Sequence, residues 1–174
     1  DNCEPYQLTQ MVDNSIGALD ISLGCNTGGD NNFLRVYNPA DYGFTTDFFV
    51  QGFLFAYSSA TLAGSVDITV NVYTLSGPLL YSNLSLLATE TYNVPDGDVY
   101  DFFPINATVP AGTVFVVEVS GGGNGDAGDS FGLYGSTIGE TDPSYLASNT
   151  CAIFEPTEIN TILPGVNVLI DVIA

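Results

Sequence analysis

The sequence contains no histidine, lysine or tryptophan, and its only basic side chain is Arg35. Without histidine there is no Ser-His-Asp or Cys-His nucleophile, no imidazole base and no imidazole metal ligand. Without lysine there is no Schiff base, no phosphate-loop lysine and no Lys–Asn isopeptide cross-link. One arginine cannot follow a phosphate backbone or hold an anionic membrane surface, so nucleic acid and membrane surfaces are excluded as partners. No apolar run approaches the roughly 20 residues of a spanning helix. The longest, Val166 to Ile173, is interrupted by Asn167 and Asp171. Membrane insertion is therefore not expected.

Carboxylates are present in ordinary number: 20 Asp and Glu in 174 residues. The net charge of −19 arises from missing bases and not from surplus acids. A glycosidase or an aspartic-protease dyad would need two carboxylates set for acid and base work. The nearest dyad-like segment, Asp129-Ser130-Phe131, lacks the required glycine, and Asp96/Asp98 and Asp126/Asp129 lie in Gly-rich turns. The expectation is a protein that is not an enzyme.

With 45% hydrophobic residues and a length near one domain, the chain can bury a core beneath roughly 8,000 Å² of surface. At that size the charges lie about 20 Å apart on average, beyond a Debye length of about 8 Å, so self-association is not forbidden.

Apolar alternation runs almost throughout. Val66, Ile68, Val70 and Val72 form one face of a strand, and Val166, Val168, Ile170 and Val172 repeat the pattern. Val114–Val119 is denser, as where both faces are covered. Further strands are expected over Gln7–Val12, Leu19–Leu23, Asn32–Tyr37, Phe48–Tyr57, Leu84–Val94, Val99–Phe103 and Phe131–Tyr134, separated by Gly-, Pro- and Asn-rich turns. Asp142-Pro143 can cap one helical turn running to Ala147. No segment keeps a helical period. About ten short strands at this spacing imply an all-β fold, an antiparallel β-sandwich of jelly-roll type, with almost no helix. Residues 1–5 read as an N-terminal extension and 6–174 as a single sandwich domain.

Gly24 to Tyr37, Asp41-Tyr42-Gly43-Phe44, Val70 to Leu75, Val109 to Thr113, Gly139 to Leu146 and Cys151-Ala152-Ile153 stand in an order and spacing that carry a resemblance. Together they resemble a β-sandwich module that recurs in secreted bacterial multidomain proteins, often near the C-terminus beside proteases or adhesive domains. The resemblance extends from about Leu8 to the C-terminus, and it implies fold and secretion without implying an activity. The module has cysteine at the positions of Cys25 and Cys151, so it implies that these two pair. The third cysteine, Cys3, is then left over. This chain departs from the module in having almost no basic residues, which bears on any shared ligand.

Four residues are candidate Ca²⁺ ligands: Asp30 and Asn31 in one loop, Asp126 and Asp129 in another, because carboxylates, amides and free carbonyls supply the six to eight oxygens Ca²⁺ takes. The plain alternative is a solvated turn. For Arg35, alternation places Leu34 and Val36 in the core and Phe33, Arg35 and Tyr37 on the other face. There the guanidinium would stack on the rings and fork onto Asp30 or Asp47 as a structural cation, or recognise an acidic ligand. The 11 Phe read as core, leaving Tyr42, Tyr134 and Tyr145 as the better sugar contacts.

The chain opens at Asp1 without Met or a basic segment, as a mature product would after signal removal. The expected location is extracellular, at a cell surface. The expected function is a structural subunit of a self-assembling fibre or surface layer. Gln7, Leu8, Thr9, Gln10, Met11 and Val12 would add to a neighbour's sheet edge, Cys3 would lie at the junction, and Ca²⁺ would bridge copies. The alternative is a carbohydrate-binding or adhesion module of a larger secreted bacterial protein, with polysaccharide as partner.

Overall fold

The computed structural model describes residues 5–25, 28–122 and 129–174. Cys3 and Asp126 lie outside the described residues.

The described residues form thirteen strands in two antiparallel sheets. The first sheet joins β1 (Gln7–Leu8), β2 (Ile21–Leu23), β4 (Phe48–Ala60), β7 (Gly97–Val109), β9 (Ser130–Ser136), β12 (Asn167–Val168) and β13 (Asp171–Ile173). The second runs in the order β11 (Ile153–Glu158), β10 (Ser144–Ser148), β3 (Asp30–Tyr37), β8 (Phe115–Gly122), β5 (Ser65–Leu75), β6 (Leu84–Pro95). Alternate residues of each strand enter one shared core: Phe53, Phe55 and Tyr57 from the first sheet, and Val66, Ile68, Val70 and Val72 from the second. This is the all-β sandwich the alternation implies. Phe48, Phe115 and Tyr37 stack in a row across it, with ring centroids 5.6 and 5.5 Å apart.

One chain crossing between the sheets occurs at a very short corner. A single residue, Asp96, separates β6 in one sheet from β7 in the other. Gly97 takes φ +136° there, a conformation that side-chain-bearing residues avoid. The Asp96 carboxylate accepts from the Thr61 amide at 2.6 Å and from the Ser59 and Thr61 hydroxyls. It thus fastens this corner to the end of β4, instead of standing in a solvated turn.

Three local expectations are corrected. The Asp142-Pro143 segment opens β10 and not a helical turn, because Ser144–Ala147 pairs with β3 on one side and β10 as a whole with β11 on the other. Proline is tolerated just before the strand because no ladder bond needs its missing N–H. Among the described residues the one α-helical turn lies instead at Ile159–Ile162, anchored by the buried Ile159. Finally, Val166–Ile173 breaks into β12 and β13. Arg35 draws the Val168 carbonyl inward and the Tyr37 hydroxyl takes that of Ile170 at 2.7 Å, removing both oxygens from a continuous ladder.

The facing of β3 is also the reverse of the expected one. Phe33 and Tyr37 belong to the core between the sheets, and Arg35 between them is fully buried. Its partner is neither Asp30 nor Asp47 but Glu140, at 3.0 Å. Nε and Nη2 donate to the Val168 carbonyl, and Nη1 donates to the Asp142 carbonyl at 2.8 Å and to Gln10 Oε1 at 3.5 Å. Met11 Sδ lies 3.1 Å from Nη2. Arg35 is thus buried with partners inside its own chain, and its surroundings are carbonyls and a carboxylate, not the expected ring faces.

This cluster determines where the N-terminal segment goes. Only Gln7–Leu8 is strand, paired with β13, and the pairing continues outward through Tyr6 and Ala174, which exchange two backbone bonds of 2.9 Å. Leu8, Gln10 and Met11 are buried within their own domain. Gln10 Nε2 donates to the Val36 carbonyl at 2.6 Å, and Met11 bridges to Glu140. Gln7 Nε2 and Asn14 Nδ2 both donate at 2.7 Å to one oxygen of Asp171, whose other oxygen is buried without a partner among the described residues. Burial raises the Asp171 carboxyl above its ordinary value, and the polar side chains of Asn14, Thr9 and Gln7, together with the Arg35 charge, offset this only in part.

The disulfide implied by the family resemblance is present. Cys25, after β2, joins Cys151 between β10 and β11, with Cα atoms 6.0 Å apart and a sequence separation of 126.

Reducing Cys25–Cys151 should lower stability by about 4–5 kcal/mol, the loop-closure entropy of so long a loop, measured by urea titration with and without reductant. Arg35→Met should cost about 3–5 kcal/mol in the same assay, since it leaves Glu140 and three acceptors unpaired. Asp171 is raised in the fold, so its stabilising, protonated form is complete below the unfolded value and is lost as pH rises through the folded one. Asp171→Asn should therefore gain stability relative to wild type as pH rises above the ordinary aspartate value; a stability gap that does not change with pH refutes the assignment.

Candidate functional site

The outward residues of the second sheet build a cleft. On β8, Phe115, Val117 and Val119 point into the core, so Glu118 and Ser120 point out. Glu118 stands opposite Leu34 of β3 on one side and Asn71 of β5 on the other. The connection from β5 to β6 folds back over this face, and its Tyr81 is clasped to β11 by a 2.9 Å bond from its amide to Glu155. The resulting cleft, of about 280 Å³, has Asn32 and Glu118 at its base and Tyr81, Asn149 and Phe154 on its walls.

Glu118 is buried and, among the described residues, has no cation beside it. Asn71 Nδ2 at 2.9 Å and the Tyr73 hydroxyl at 3.0 Å donate to Oε1, and the Tyr81 hydroxyl donates to Oε2 at 3.0 Å. Burial first, and the Glu118 charge second, push both tyrosines well above the ordinary phenol range, so they remain donors. The lining contains one carboxylate, whereas glycosidic hydrolysis uses two. Sequence reasoning missed this site. Its one signal was a glutamate inside the apolar run Val114–Val119, and Tyr81 comes from a segment 37 residues away.

Of the candidate Ca²⁺ ligands, Asp30, Asn31 and Asp129 are among the described residues. Asp30 pairs with Gly122, and Asn31 Nδ2 donates to the Phe131 carbonyl at 3.0 Å, while its Oδ1 accepts from the Cys25 amide. The Asp30 carboxylate accepts from the Asn149 and Thr150 amides, both at 3.0 Å, and from the Thr150 hydroxyl at 2.9 Å. Partial burial alone would raise its pKa, but these bonds together outweigh that and hold it below the ordinary value. Asp129 accepts from the Leu62 amide at 2.8 Å. The carboxylates of Asp30 and Asp129 are thus turned toward different turns. Among the described residues no group of three or more Asp, Glu or Cys is placed to hold a metal.

The tyrosines proposed as sugar contacts are not brought together. Tyr145 lies on the outer face of the second sheet, opposite Leu34, and Tyr134 lines a separate cleft with Ile16 and Tyr100. Tyr42 is half-buried against Tyr37 and donates to the Thr9 carbonyl at 3.3 Å.

The sheet edges differ in how they are guarded. β11 carries Glu155, Pro156 and Glu158, and β7 carries Asp98, Asp101 and Pro104. β6, the other end of the second sheet, runs for 12 residues with only Glu90 as a charge and its proline at the last position. It presents Leu86 and Leu87 at 55% and 38% exposure.

No family model and no curated protein matches the sequence. Among solved structures, two of infectious bursal disease virus, from the Gx and Gt strains, align over 98% of the chain at 12% and 15% identity, covering 35% and 36% of those chains, with a TM-score of 0.37 each. The chain is also similar to part of the clostridial cysteine protease Cwp84 after propeptide cleavage, at 13% identity over 96% of this chain and with a TM-score of 0.62. It spans 39% of that protein's length, and the β-sandwich is what the two share.

Proposed function

We propose that this chain is a non-enzymatic structural module of an extracellular assembly, joined to further copies of itself through the open β6 edge. The observation that carries the proposal is the poorly guarded length of β6. An edge strand presents unpaired N–H and C=O groups that accept another strand unless charge, proline or a cover prevents it. β11 and β7 carry such guards; β6 has one glutamate, a terminal proline and two exposed leucines. Strand addition there needs no cation, which matters in a chain whose only cation is buried. The Cys25–Cys151 bridge suits an oxidising, extracellular setting. Ca²⁺ between carboxylates of neighbouring copies would relieve local repulsion at such a contact.

The N-terminal segment is a poor donor for this contact, because Gln10 and Met11 are committed to Arg35. The reading as a carbohydrate-binding or adhesion module of a larger secreted bacterial protein draws on the open cleft with Phe154 at its wall. Most of the cleft's polar groups, however, already have hydrogen-bond partners within the chain.

The test is assembly, monitored by light scattering and negative-stain microscopy in Ca²⁺ and in EDTA. Wild type should form oligomers or filaments. A Leu86→Lys, Leu87→Lys double variant should remain monomeric with an unchanged far-ultraviolet spectrum. Wild type that stays monomeric in both buffers, or a variant that assembles equally well, overturns the proposal.

A further inference from the structure

Glu118 presents an unusual balance. Fully buried acids are ordinarily paired with a cation, yet three neutral donors hold this one: two on Oε1 and one on Oε2. A carboxylate oxygen accepts about two donors, so Oε1 is filled and Oε2 has capacity for one more. The rest of the lining offers little to a hydroxyl-rich ligand. Asn32 donates to the Ala147 carbonyl and accepts from Ser120, and Asn149 donates to Asp30. What the cleft offers is one negative charge at its base, flanked by the Tyr81 ring and by Phe154, which is 68% exposed. Acid and aromatic together favour a cation.

We infer that this cleft recognises a single cationic side chain, the ammonium or guanidinium of a lysine or arginine on a partner protein. A second copy of this chain cannot supply that side chain. It has no lysine, and its one arginine is buried on Val168, Asp142 and Glu140. The partner is therefore a different protein, and the site is independent of β6. The net charge of −19 would also attract a basic partner at low ionic strength.

The probe is a short blocked peptide carrying one arginine, titrated into the intact protein by calorimetry and by amide chemical shifts. The same peptide with citrulline, which keeps the shape and removes the charge, is the control. The arginine peptide should bind at the cleft and weaken as NaCl rises from about 50 to about 500 mM. Glu118→Gln should reduce its affinity about tenfold, the loss of one charge-assisted bond, and Phe154→Ala should reduce it several-fold. Should Glu118→Gln not fold, the exposed Phe154→Ala, the salt series and the citrulline control decide the matter with folded protein. Equal binding of citrulline and arginine, or no loss in either variant, overturns the inference. Binding of free spermidine with none of the arginine peptide overturns the assignment to a protein side chain. Binding of maltohexaose in the cleft in place of the peptide overturns the cationic reading altogether.

Discussion

Burial of the chain's only cation is the constraint around which this sandwich is arranged. A guanidinium taken out of water is tolerable only if its donors are met. Arg35 is met by a carbonyl from β12, a carbonyl from the approach to β10, a glutamine from the N-terminal segment and the carboxylate of Glu140. Glu140 and Asp142 share one short segment, so satisfying this side chain brings three distant stretches of chain onto β3. The same demand turns the Val168 carbonyl out of its ladder and divides the last strand in two. It also commits the segment after β1 to its own domain.

With that cation spent, every other carboxylate must be held by neutral donors or by water. Asp30 uses backbone amides and a threonine, Asp96 an amide and two hydroxyls, and Glu118 an amide and two phenols. Asp171 is the least well served: one oxygen takes two amides while the other is buried without a partner among the described residues. The fold therefore distributes its acids by hydrogen bonding and not by ion pairing, so salt should affect its contacts with partners more than its own stability.

Alternation made most of the architecture legible. The β5 run from Val66 to Tyr73 and the inward set Val166, Val168, Ile170 and Val172 are where the period places them. Tertiary partners govern what a local period cannot resolve. In β3, Leu34 and Val36 share one face and Phe33 and Tyr37 share the other with Arg35, so alternation alone does not say which turns inward; three of the four acceptors that permit the burial of Arg35 lie more than 100 residues away. β10 and β11 are short and carry proline within or just before them, so their strand character depends on pairing. The cleft at Glu118 was hidden for the same reason, since Tyr73 and Tyr81 reach it from beyond the local window. Close packing adds a constraint of its own: a Cβ on Gly135 would fall 1.6 Å from the Asn167 carbonyl oxygen, so β12 can approach β9 only at a glycine.

The pairing of Tyr6 with Ala174 has a mechanical consequence. Tension applied across these two residues would load the β1–β13 bonds one after another, as in opening a zip, and not all at once in shear. Such a junction yields at low force. The covalent link from Cys25 to Cys151 then limits any further extension, because everything between those residues lies inside a closed loop that a pull from outside cannot lengthen. Under load, the module would release a short tether from each end and keep β3 through β10 intact, behaving as a compliant connector with a fixed stop.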